Sequence, residues 1–407
     1  MDPFNKINHI VGVIKLIETI DLKQQVIKWR RHLHMYPELS HQEHETAQYI
    51  YNQLVTFPHL EVKRLTETSV CAFLKGTKTE NKENKGLTIL LRADIDALPI
   101  EEETDLLFKS TNPGVMHACG HDAHPAMLLG AAKALAERGT DFCGEIRFVF
   151  QHAEEVTPGG AAQLVALGIV ENVDYAFALH VSPDYEVGQF AMKEGKFTAA
   201  ADDFEIKIYG RGGHASTPEV AIDPLLIGSE IVVALQTIVS RKVPSTHAPV
   251  LTVAKFHCGT ALNIIADTAE LGGTIRSLDP TIRVDSRKHL EKIATSIASM
   301  HGAKVDIKWE LGCPSVTNDK ELTALSRRIA GEIVGDTGVQ ELPEPMFGTE
   351  DFADFSEVVP SSMQFIGVHN EEFGEAYPLH HPRFKIDEEA LIYGVRYFEN
   401  IARTLCP

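Results

Sequence analysis

The chain has 407 residues, of which 44% are apolar and 23% are charged, and its formal net charge at pH 7 is −19. This length exceeds what one ordinary hydrophobic core serves, so the sequence predicts a globular protein of two domains. The negative charge argues against a nucleic-acid backbone or an anionic membrane surface as the partner.

The cysteines and the N-terminal residues both bear on the cellular compartment. The six cysteines are scattered without a C-x-x-C pair, unlike the disulfide framework of a small secreted domain. Lys6, Lys15 and Glu18 interrupt any apolar segment long enough for a signal peptide. No stretch approaches the roughly 18 uncharged apolar residues that span a bilayer. We therefore expect a reduced, cytoplasmic protein without a membrane span.

Two helices are predicted ahead of the first strand. The first covers residues 21–34 and leads into the motif RRHLHMYPELS. Ser40 and Glu43 then match the S-x-x-E pattern of a capping box. This pattern predicts the start of a second helix that continues through Leu54.

Short apolar runs followed by polar residues are the main signal for the fold. The runs are Leu87–Ala93 before Asp94 and Asp96, Glu145–Phe150 before His152, Glu154 and Glu155, Val173–Leu179 before His180, and Gln364–Val368 before His380 and His381. Helical patterns over residues 122–138, 160–168 and 321–334 alternate with them. This alternation predicts an α/β fold, a mostly parallel mixed sheet flanked by helices. In such sheets ligands bind beyond the carboxyl ends of the strands.

The stretch Met116–Ala132, MHACGHDAHPAMLLGAA, places metal-binding side chains directly before a helix. Asp122 is suited to cap this helix and Pro125 to its first turn. Cys119 and His121 would therefore lie on a turn at the start of a buried helix. A thiolate and an imidazole two positions apart can reach one metal ion, although a histidine-rich surface loop accounts for the same residues equally well.

Between about residues 188 and 311 the pattern of elements changes. Strands are predicted at 203–209, 250–257, 268–275 and 305–310, with helices at 224–241 and 281–300. The order β-α-β-β-α-β is that of a ferredoxin-like α+β sandwich. We expect it to be an inserted lid domain, residues 188–311, within a catalytic domain formed by residues 1–187 and 312–407.

Six side chains with metal-binding or acid–base chemistry fall at the predicted strand ends and on the turn: Cys119, His121, Glu154, Glu155, His180 and His380. Five of them could bind two divalent metal ions, which leaves one carboxylate for proton transfer. Two neighbouring ions are a common device for hydrolysing amides and phosphates. The donor types suit zinc, and imidazole with carboxylate also suits manganese. A charged surface loop is the competing explanation for the two glutamates considered alone.

The motifs together resemble those of the dinuclear metallohydrolases that include aminoacylase and carboxypeptidase G, and most of all their hippurate hydrolase and indoleacetyl-amino-acid hydrolase branch. They span nearly the whole chain in order: RRHLHMYPELS, RADIDALPI, MHACGHDAHPAMLLGAA, QHAEE, ALHV, GRGGHAS, ALNIIADTAELGGTIR, FGTEDFADF and PLHHPRF. The resemblance implies a metallopeptidase-like catalytic domain with two metal ions and a smaller lid that also dimerises. It implies hydrolysis of small-molecule N-acyl-L-amino acids by a homodimer or a higher homo-oligomer.

The resemblance also assigns the metal ligands. Cys119 would bridge both ions, in place of the aspartate found in sister branches. His121 and His180 would complete one site, and Glu155 with His380 the other.

Three acidic residues receive different roles by the same resemblance. Glu154 would be the general base that takes a proton from water. Asp96 matches a carboxylate that orients a metal ligand. Asp94 stands where relatives have a histidine, so His121 would substitute for that histidine.

Three residues of the predicted lid complete the implied site. His214, in GRGGHAS, would donate a hydrogen bond to the developing oxyanion. Asn263 and Arg276 would bind the substrate carboxylate, which suits the two parallel donors of a guanidinium group. From the residues alone, a loop histidine is the better explanation of His214, and an exposed arginine at a strand end explains Arg276 equally well.

Other enzyme classes fit the sequence less well. A dipeptidase, aminopeptidase or carboxypeptidase of the same fold is the main alternative. A zinc nucleobase deaminase would need a P-C-x-x-C motif, and a serine hydrolase a G-x-S-x-G motif, and the sequence has neither. A non-catalytic metal-binding protein predicts a broken set of ligands, whereas all of the implied ligands and the base are present.

Overall fold

A computed structural model describes residues 20–78 and 86–407, and these form two compact units. The first comprises the described residues up to Gly195 together with Thr317–Pro343 and Asp354–Pro407. The second comprises Lys196–Val316 and Glu344–Ala353. The residues on which the signal-peptide prediction rests, numbers 6, 15 and 18, lie outside the described residues.

The helices and strands are numbered here in chain order. The helices are α1 (residues 20–35), α2 (His44–Leu54), α3 (Ala123–Glu137), α4 (Gly160–Ala166), α5 (Pro224–Thr237), α6 (Pro280–Met300), α7 (Lys320–Val334), α8 (Phe352–Ser356) and α9 (Ala390–Leu405). The strands are β1 (Leu60–Lys63), β2 (Val70–Lys75), β3 (Thr88–Asp94), β4 (Glu145–Gln151), β5 (Tyr175–Glu186), β6 (Phe190–Met192), β7 (Gly195–Lys196), β8 (Ala200–Tyr209), β9 (Gly213–His214), β10 (Val250–Cys258), β11 (Ile264–Ile265), β12 (Thr268–Ser277), β13 (Lys304–Leu311), β14 (Thr317–Asn318), β15 (Val339–Glu341) and β16 (Ser361–His369).

The first unit is built on an eight-stranded mixed sheet in the order β1-β2-β4-β3-β5-β16-β6-β15. The four central strands, β4, β3, β5 and β16, run parallel to one another. The predicted α/β fold with a mostly parallel mixed sheet is confirmed. All four predicted strands exist, and their carboxyl ends lie on one edge because parallel strands share a direction.

The central strands are mostly buried and rich in apolar residues because helices cover the sheet. In β3, every residue after Thr88 is buried. Helix α3 packs against β3 and α9 and buries most of its residues, from Ala123 to Ala136. The turn that precedes α3 is therefore anchored to the interior of this unit.

The second unit contains a four-stranded antiparallel sheet in the order β10-β12-β8-β13. Helices α5 and α6 pack against this sheet, as in a ferredoxin-like sandwich. Along β8 the buried side chains Phe204, Ile206 and Ile208 alternate with exposed ones, as a strand with one covered face requires. Asp223 and Asp279 cap the first backbone N–H groups of α5 and α6, respectively.

Within residues 20–78 and 86–407, one helical stretch is long and apolar enough to cross a membrane when judged by length and composition alone. It comprises α5 and the π-helical turn after it, Pro224–Lys242. A single stretch of this kind is weak evidence, because the core helices of globular domains meet the same criterion. Here it supplies Ile227, Ile231 and Leu235 to the core of the second unit.

Candidate metal centre

Four segments of the first unit bring the predicted metal ligands together. Cys119 and His121 lie on the turn before α3, and Gly120 between them has φ of +82°. This left-handed backbone costs a glycine little and lets both side chains point the same way. His180 is a buried residue of β5, and the remaining two ligands lie on loops.

The candidate ligands form two groups that share one sulfur. The ligand atoms of Cys119, His121 and His180 all lie within 4.8 Å of one another, and so do those of Cys119, Glu155 and His380. The Cys119 Sγ lies 3.5 Å from His180 Nε2, and His380 Nε2 lies 3.4 Å from Glu155 Oε1. A thiolate common to two donor groups is what two neighbouring divalent ions require.

The ring nitrogens of the two buried histidines are oriented by hydrogen bonds on their far sides. His180 Nδ1 donates to the carbonyl of Val181 at 2.7 Å, and His121 Nδ1 donates to Asp96 Oδ1 at 3.1 Å. Nε2 is therefore the ring nitrogen that each histidine has left for the cluster, and in the neutral imidazole it presents a lone pair there. Among the described residues His121 Nε2 has no hydrogen-bond partner although it is buried. A buried ring nitrogen without a hydrogen-bond partner fits a metal ion, which would take the place of the proton on Nε2.

The electrostatics of the cluster favour a cation. Burial and the carboxylates of Glu155 and Glu154 hold the pKa of the Cys119 thiol well above its usual range. Burial alone would lower the pKa of His121, but nearby carboxylates, first among them that of Asp94, raise it to about 10. Because the chain concentrates negative charge here, a divalent cation would stabilise both the thiolate and the carboxylates.

His124 is held as a structural residue beside the cluster. Its Nδ1 donates to Asp94 Oδ1 at 2.5 Å, and its Nε2 accepts the backbone N–H of Val181 at 3.0 Å. Both ring nitrogens are thus engaged in hydrogen bonds within the protein. Arg92 donates to the other oxygen of Asp94 at 2.6 Å. This ion pair fixes Asp94 3.7 Å from His121 Nε2. No local sequence pattern indicates that the pair is buried.

The two glutamates after β4 both face the cluster. An oxygen of each lies within 4.8 Å of one His121 ring nitrogen and of the other glutamate's oxygen. The backbone N–H of Glu155 donates to Asp96 Oδ2 at 3.0 Å. Asp96 therefore contacts both the His121 ring and the loop that carries the glutamates.

The predicted capping box at the start of α2 is wrong. Helix α2 begins at His44 with Glu43 at its N-cap, and neither predicted side chain caps it. Instead the Ser40 hydroxyl donates to Asp96 Oδ2 at 2.7 Å, and Glu43 accepts the backbone N–H of Ala153 at 2.8 Å. The sequence analysis did not assign either residue to the site, because a capping box already accounts for the S-x-x-E pattern.

Asp122 likewise does not cap α3 through its side chain. Its Oδ2 accepts hydrogen bonds from Arg30 Nε at 2.6 Å and from His34 Nδ1 at 2.9 Å, and all three residues are buried. These contacts tie the motif RRHLHMYPELS to the turn that carries the candidate ligands, which accounts for its polar character.

The other three predicted residues belong to the second unit. His214, in the short strand β9, is exposed, and its Nδ1 lies 2.6 Å from Ser216 Oγ. The Asn263 carbonyl accepts the backbone N–H of Ala215, so these two predicted residues lie on adjacent segments. Arg276, near the end of β12, donates to the carbonyl of Phe347 at 2.7 Å.

Comparisons with known proteins give the chain a family. Residues 90–404 match the model of Peptidase family M20/M25/M40. The chain is 45% identical over 301 residues to an N-acyl-L-amino acid amidohydrolase of Geobacillus stearothermophilus, covering 74% of this chain and 80% of that protein. It is 39% identical over 378 residues to thermostable carboxypeptidase 1 of Saccharolobus solfataricus, covering 92% and 93% of the two chains.

A solved structure agrees with these matches. The YXEP protein of Bacillus subtilis, described as a dinuclear metal binding peptidase from the M20 family, superposes with a TM-score of 0.79 at 34% identity. The superposition covers 95% of this chain and 99% of that one. The chain is therefore a metal-dependent amidohydrolase that belongs to Peptidase family M20/M25/M40.

Proposed function

We propose that the protein hydrolyses the amide bond of N-acyl-L-amino acids, releasing a carboxylic acid and an amino acid. This proposal rests on the two groups of candidate ligands that share the Cys119 sulfur, one of which contains Glu155, and on Glu154 beside them. The name of the Geobacillus stearothermophilus relative supports the substrate class.

We assign the five ligands by the groups in which they lie. Cys119 would be shared between two ions, with His121 and His180 on one and Glu155 and His380 on the other. The mixture of thiolate, imidazole and carboxylate fits zinc, and manganese is the second choice for the imidazole and carboxylate donors. When bound, the ions would acidify a water molecule and polarise the scissile carbonyl.

Glu154 would move the proton in this reaction. It would accept a proton from the attacking water and then deliver that proton to the nitrogen of the departing amino acid. One carboxylate can do both because it returns to its starting state within each turnover. Asp96 would hold the His121 ring through the hydrogen bond to Nδ1.

The second-unit residues are proposed for substrate binding on the family resemblance. His214 would donate to the developing oxyanion, and Arg276 with Asn263 would bind the substrate α-carboxylate. Replacement of Arg276 by alanine should mainly raise KM for N-acyl-amino acids. Amides without the carboxylate should be hydrolysed equally by both forms.

Carboxypeptidase or dipeptidase activity is the second candidate, because the Saccharolobus solfataricus relative carries a carboxypeptidase name. Both reactions cleave an amide next to a terminal carboxylate. They differ in whether the acyl side bears a charged α-amine.

A substrate panel separates the two candidates. Purified protein with added Mn²⁺ or Zn²⁺ would be assayed on N-acetyl, N-benzoyl and N-indoleacetyl amino acids beside unblocked dipeptides. We expect kcat/KM to be highest on an N-acyl-amino acid. Cleavage of the dipeptides alone would replace the proposal by the second candidate.

We further propose a homodimer or higher homo-oligomer in the cytoplasm. The six cysteines all carry unbridged thiols, which agrees with a reducing compartment. Light scattering coupled to size exclusion would give the mass in solution, and a 44.9 kDa particle would contradict the oligomer.

A further inference from the structure

The loop that carries Glu154 and Glu155 begins with an unusual backbone conformation. Ala153 has φ of +49°, in the left-handed region that costs a residue with a Cβ atom about 1 kcal/mol or more. Ala153 is fully buried, and its carbonyl accepts the backbone N–H of Gly160 at 2.9 Å. Such a conformation persists only where the surroundings hold it on more than one side.

Glu43 supplies the contact on the N–H side of Ala153. Its side chain is fully buried, and Oε1 accepts the backbone N–H of Ala153 at 2.8 Å. A buried N–H group without a partner costs as much as a lost hydrogen bond, so this contact stabilises the left-handed turn. No capping contact competes for the Glu43 side chain.

The burial of this carboxyl group is itself unfavourable. Burial, with the nearby Asp96 carboxylate, raises the pKa of Glu43 to about 8 although backbone N–H groups lower it. A neutral acid at physiological pH still accepts a hydrogen bond through its carbonyl oxygen. A glutamine side chain therefore has the same reach and the same acceptor.

The segment that bears Glu43 also holds the other end of the loop. Ser40, three residues earlier, donates to Asp96 Oδ2, and the same oxygen accepts the backbone N–H of Glu155 at 3.0 Å. The backbone N–H groups of Ala153 and Glu155, the residues on either side of Glu154, are thus both tied, directly or through Asp96, to residues 40–43. Two fixed peptides leave the main chain at Glu154 little freedom.

We propose that Glu43 is a positioning residue of the metal centre, whose acceptor oxygen fixes the main chain at Ala153 so that Glu155 faces the metal ions and Glu154 faces the substrate. The proposal rests on the proposed function for the role of Glu154. For Glu155 it requires only that this residue binds metal. Glu43 itself would contact neither the ions nor the substrate.

Three variants test the acceptor and its reach separately. Glu43→Gln keeps the acceptor and the length but removes the acid. Glu43→Asp keeps the acid but is one methylene shorter, so it cannot reach Ala153. Thr46→Val is the matched control, since Thr46 is buried in the first turn of α2, three residues after Glu43, and its hydroxyl has no hydrogen-bond partner among the described residues.

Metal uptake is the first measurement, made by titrating each metal-free variant with Mn²⁺ in a calorimeter. The glutamine and valine variants should take up two ions with wild-type affinity. The aspartate variant should bind the second ion at least 10-fold more weakly. Loss of a contact that orients a metal ligand typically weakens metal binding about 10- to 100-fold. The proposal would be overturned if Glu43→Asp bound Mn²⁺ with wild-type affinity, or if Glu43→Gln lost as much Mn²⁺ affinity as Glu43→Asp.

Kinetics on an N-acyl-amino acid are the second measurement. We expect Glu43→Asp to lower kcat by about 100-fold with little change in KM, because a shift of about 1 Å in a catalytic group has an effect of this size. Glu43→Gln should keep most of the wild-type kcat. A change in KM alone would contradict a positioning role. If the wild type cleaves no N-acyl-amino acid, the proposed function fails, and the uptake of Mn²⁺ still decides the role of Glu43.

Discussion

Neighbouring glutamates that face one cluster can divide two chemical tasks. Glu155 lies 3.4 Å from His380 Nε2 and 3.9 Å from His121 Nε2, so its oxygen is the one placed among the other donors. Glu154 shares the His121 group and is assigned the proton transfer. The roles of the two residues are therefore separable by mutation.

Glu154→Gln should retain two metal ions and lose most turnover. An amide cannot take the proton from water, and general base catalysis contributes about 10²- to 10⁴-fold. Metal analysis and kcat would be measured on the same sample. A glutamine variant with wild-type kcat, or one that has lost an ion, would contradict the division of roles.

The pKa of Glu43 predicts a pH dependence of stability. In the unfolded chain this acid titrates near 4.5, and in the folded protein burial and the Asp96 carboxylate raise its pKa to about 8. The folded state thus holds the proton more tightly, and the Glu43 contribution to the free energy of unfolding is lost as the pH rises from about 4.5 to 8.

Urea unfolding of the metal-free wild type and Glu43→Gln, at pH 5 and pH 8.5, would measure this effect. The glutamine variant does not titrate, so it should gain stability relative to wild type at the higher pH, by up to about 1.4 kcal/mol per pH unit. Other groups titrate alike in both proteins. An equal difference at the two pH values would show that Glu43 ionises normally.

At the residue scale, the sequence shows the candidate ligands but not the residues that support them. Cys119, His121 and His180 carry side chains whose chemistry is evident in a linear sequence. Ser40 and Glu43 act over separations of more than 50 residues, and their local pattern indicated a helix cap. Long-range hydrogen bonds of this kind leave no periodic trace in the sequence.

At the scale of elements, the turn before α3 positions two of the proposed ligands, Cys119 and His121. Gly120 has φ of +82°, and a Cβ atom placed there would lie 2.3 Å from Val181 Cγ2. Gly139, after α3, has φ of +90° with nothing within 4 Å of such an atom. Both glycines therefore have a left-handed backbone, but only at Gly120 would an added Cβ atom collide with a neighbouring side chain.

Gly120→Ala should therefore weaken metal binding, whereas Gly139→Ala should not. Each substitution carries a left-handed backbone cost of about 1 kcal/mol. Only the first pushes the turn away from β5, which carries His180. Thermal unfolding and Mn²⁺ titration of both variants would check this. Equal metal affinity in the two would show that the turn tolerates a side chain.

The central strands were predictable because burial on both faces makes each of them rich in apolar residues. The edge strand β1 is short, and its partly exposed residues alternate with exposed ones, so no apolar run marks it. The second-unit elements were found within a few residues of their bounds because period-2 and period-3.6 patterns survive in one-sided packing.

At the scale of the whole molecule, the proposed ligands come from segments that are distant in sequence, from Cys119 to His380. The unfolded chain cannot hold them together, so bound metal should stabilise the folded state by mass action. Chelation should lower the thermal midpoint of the wild type, and added metal should restore it. In Cys119→Ala the chelator should have little effect, and an undiminished shift would argue against Cys119 as a ligand.

The most direct test of the account is hydrolysis of an N-acyl-amino acid by the wild type and Cys119→Ala before chelation, after it and after Mn²⁺ or Zn²⁺ is restored. The account predicts wild-type activity that disappears with the chelator and returns with two ions per chain. The variant should stay weak throughout and bind fewer ions. Activity that survives full removal of metal, or a fully active Cys119→Ala, would contradict a metal-dependent amidohydrolase centred on this thiolate.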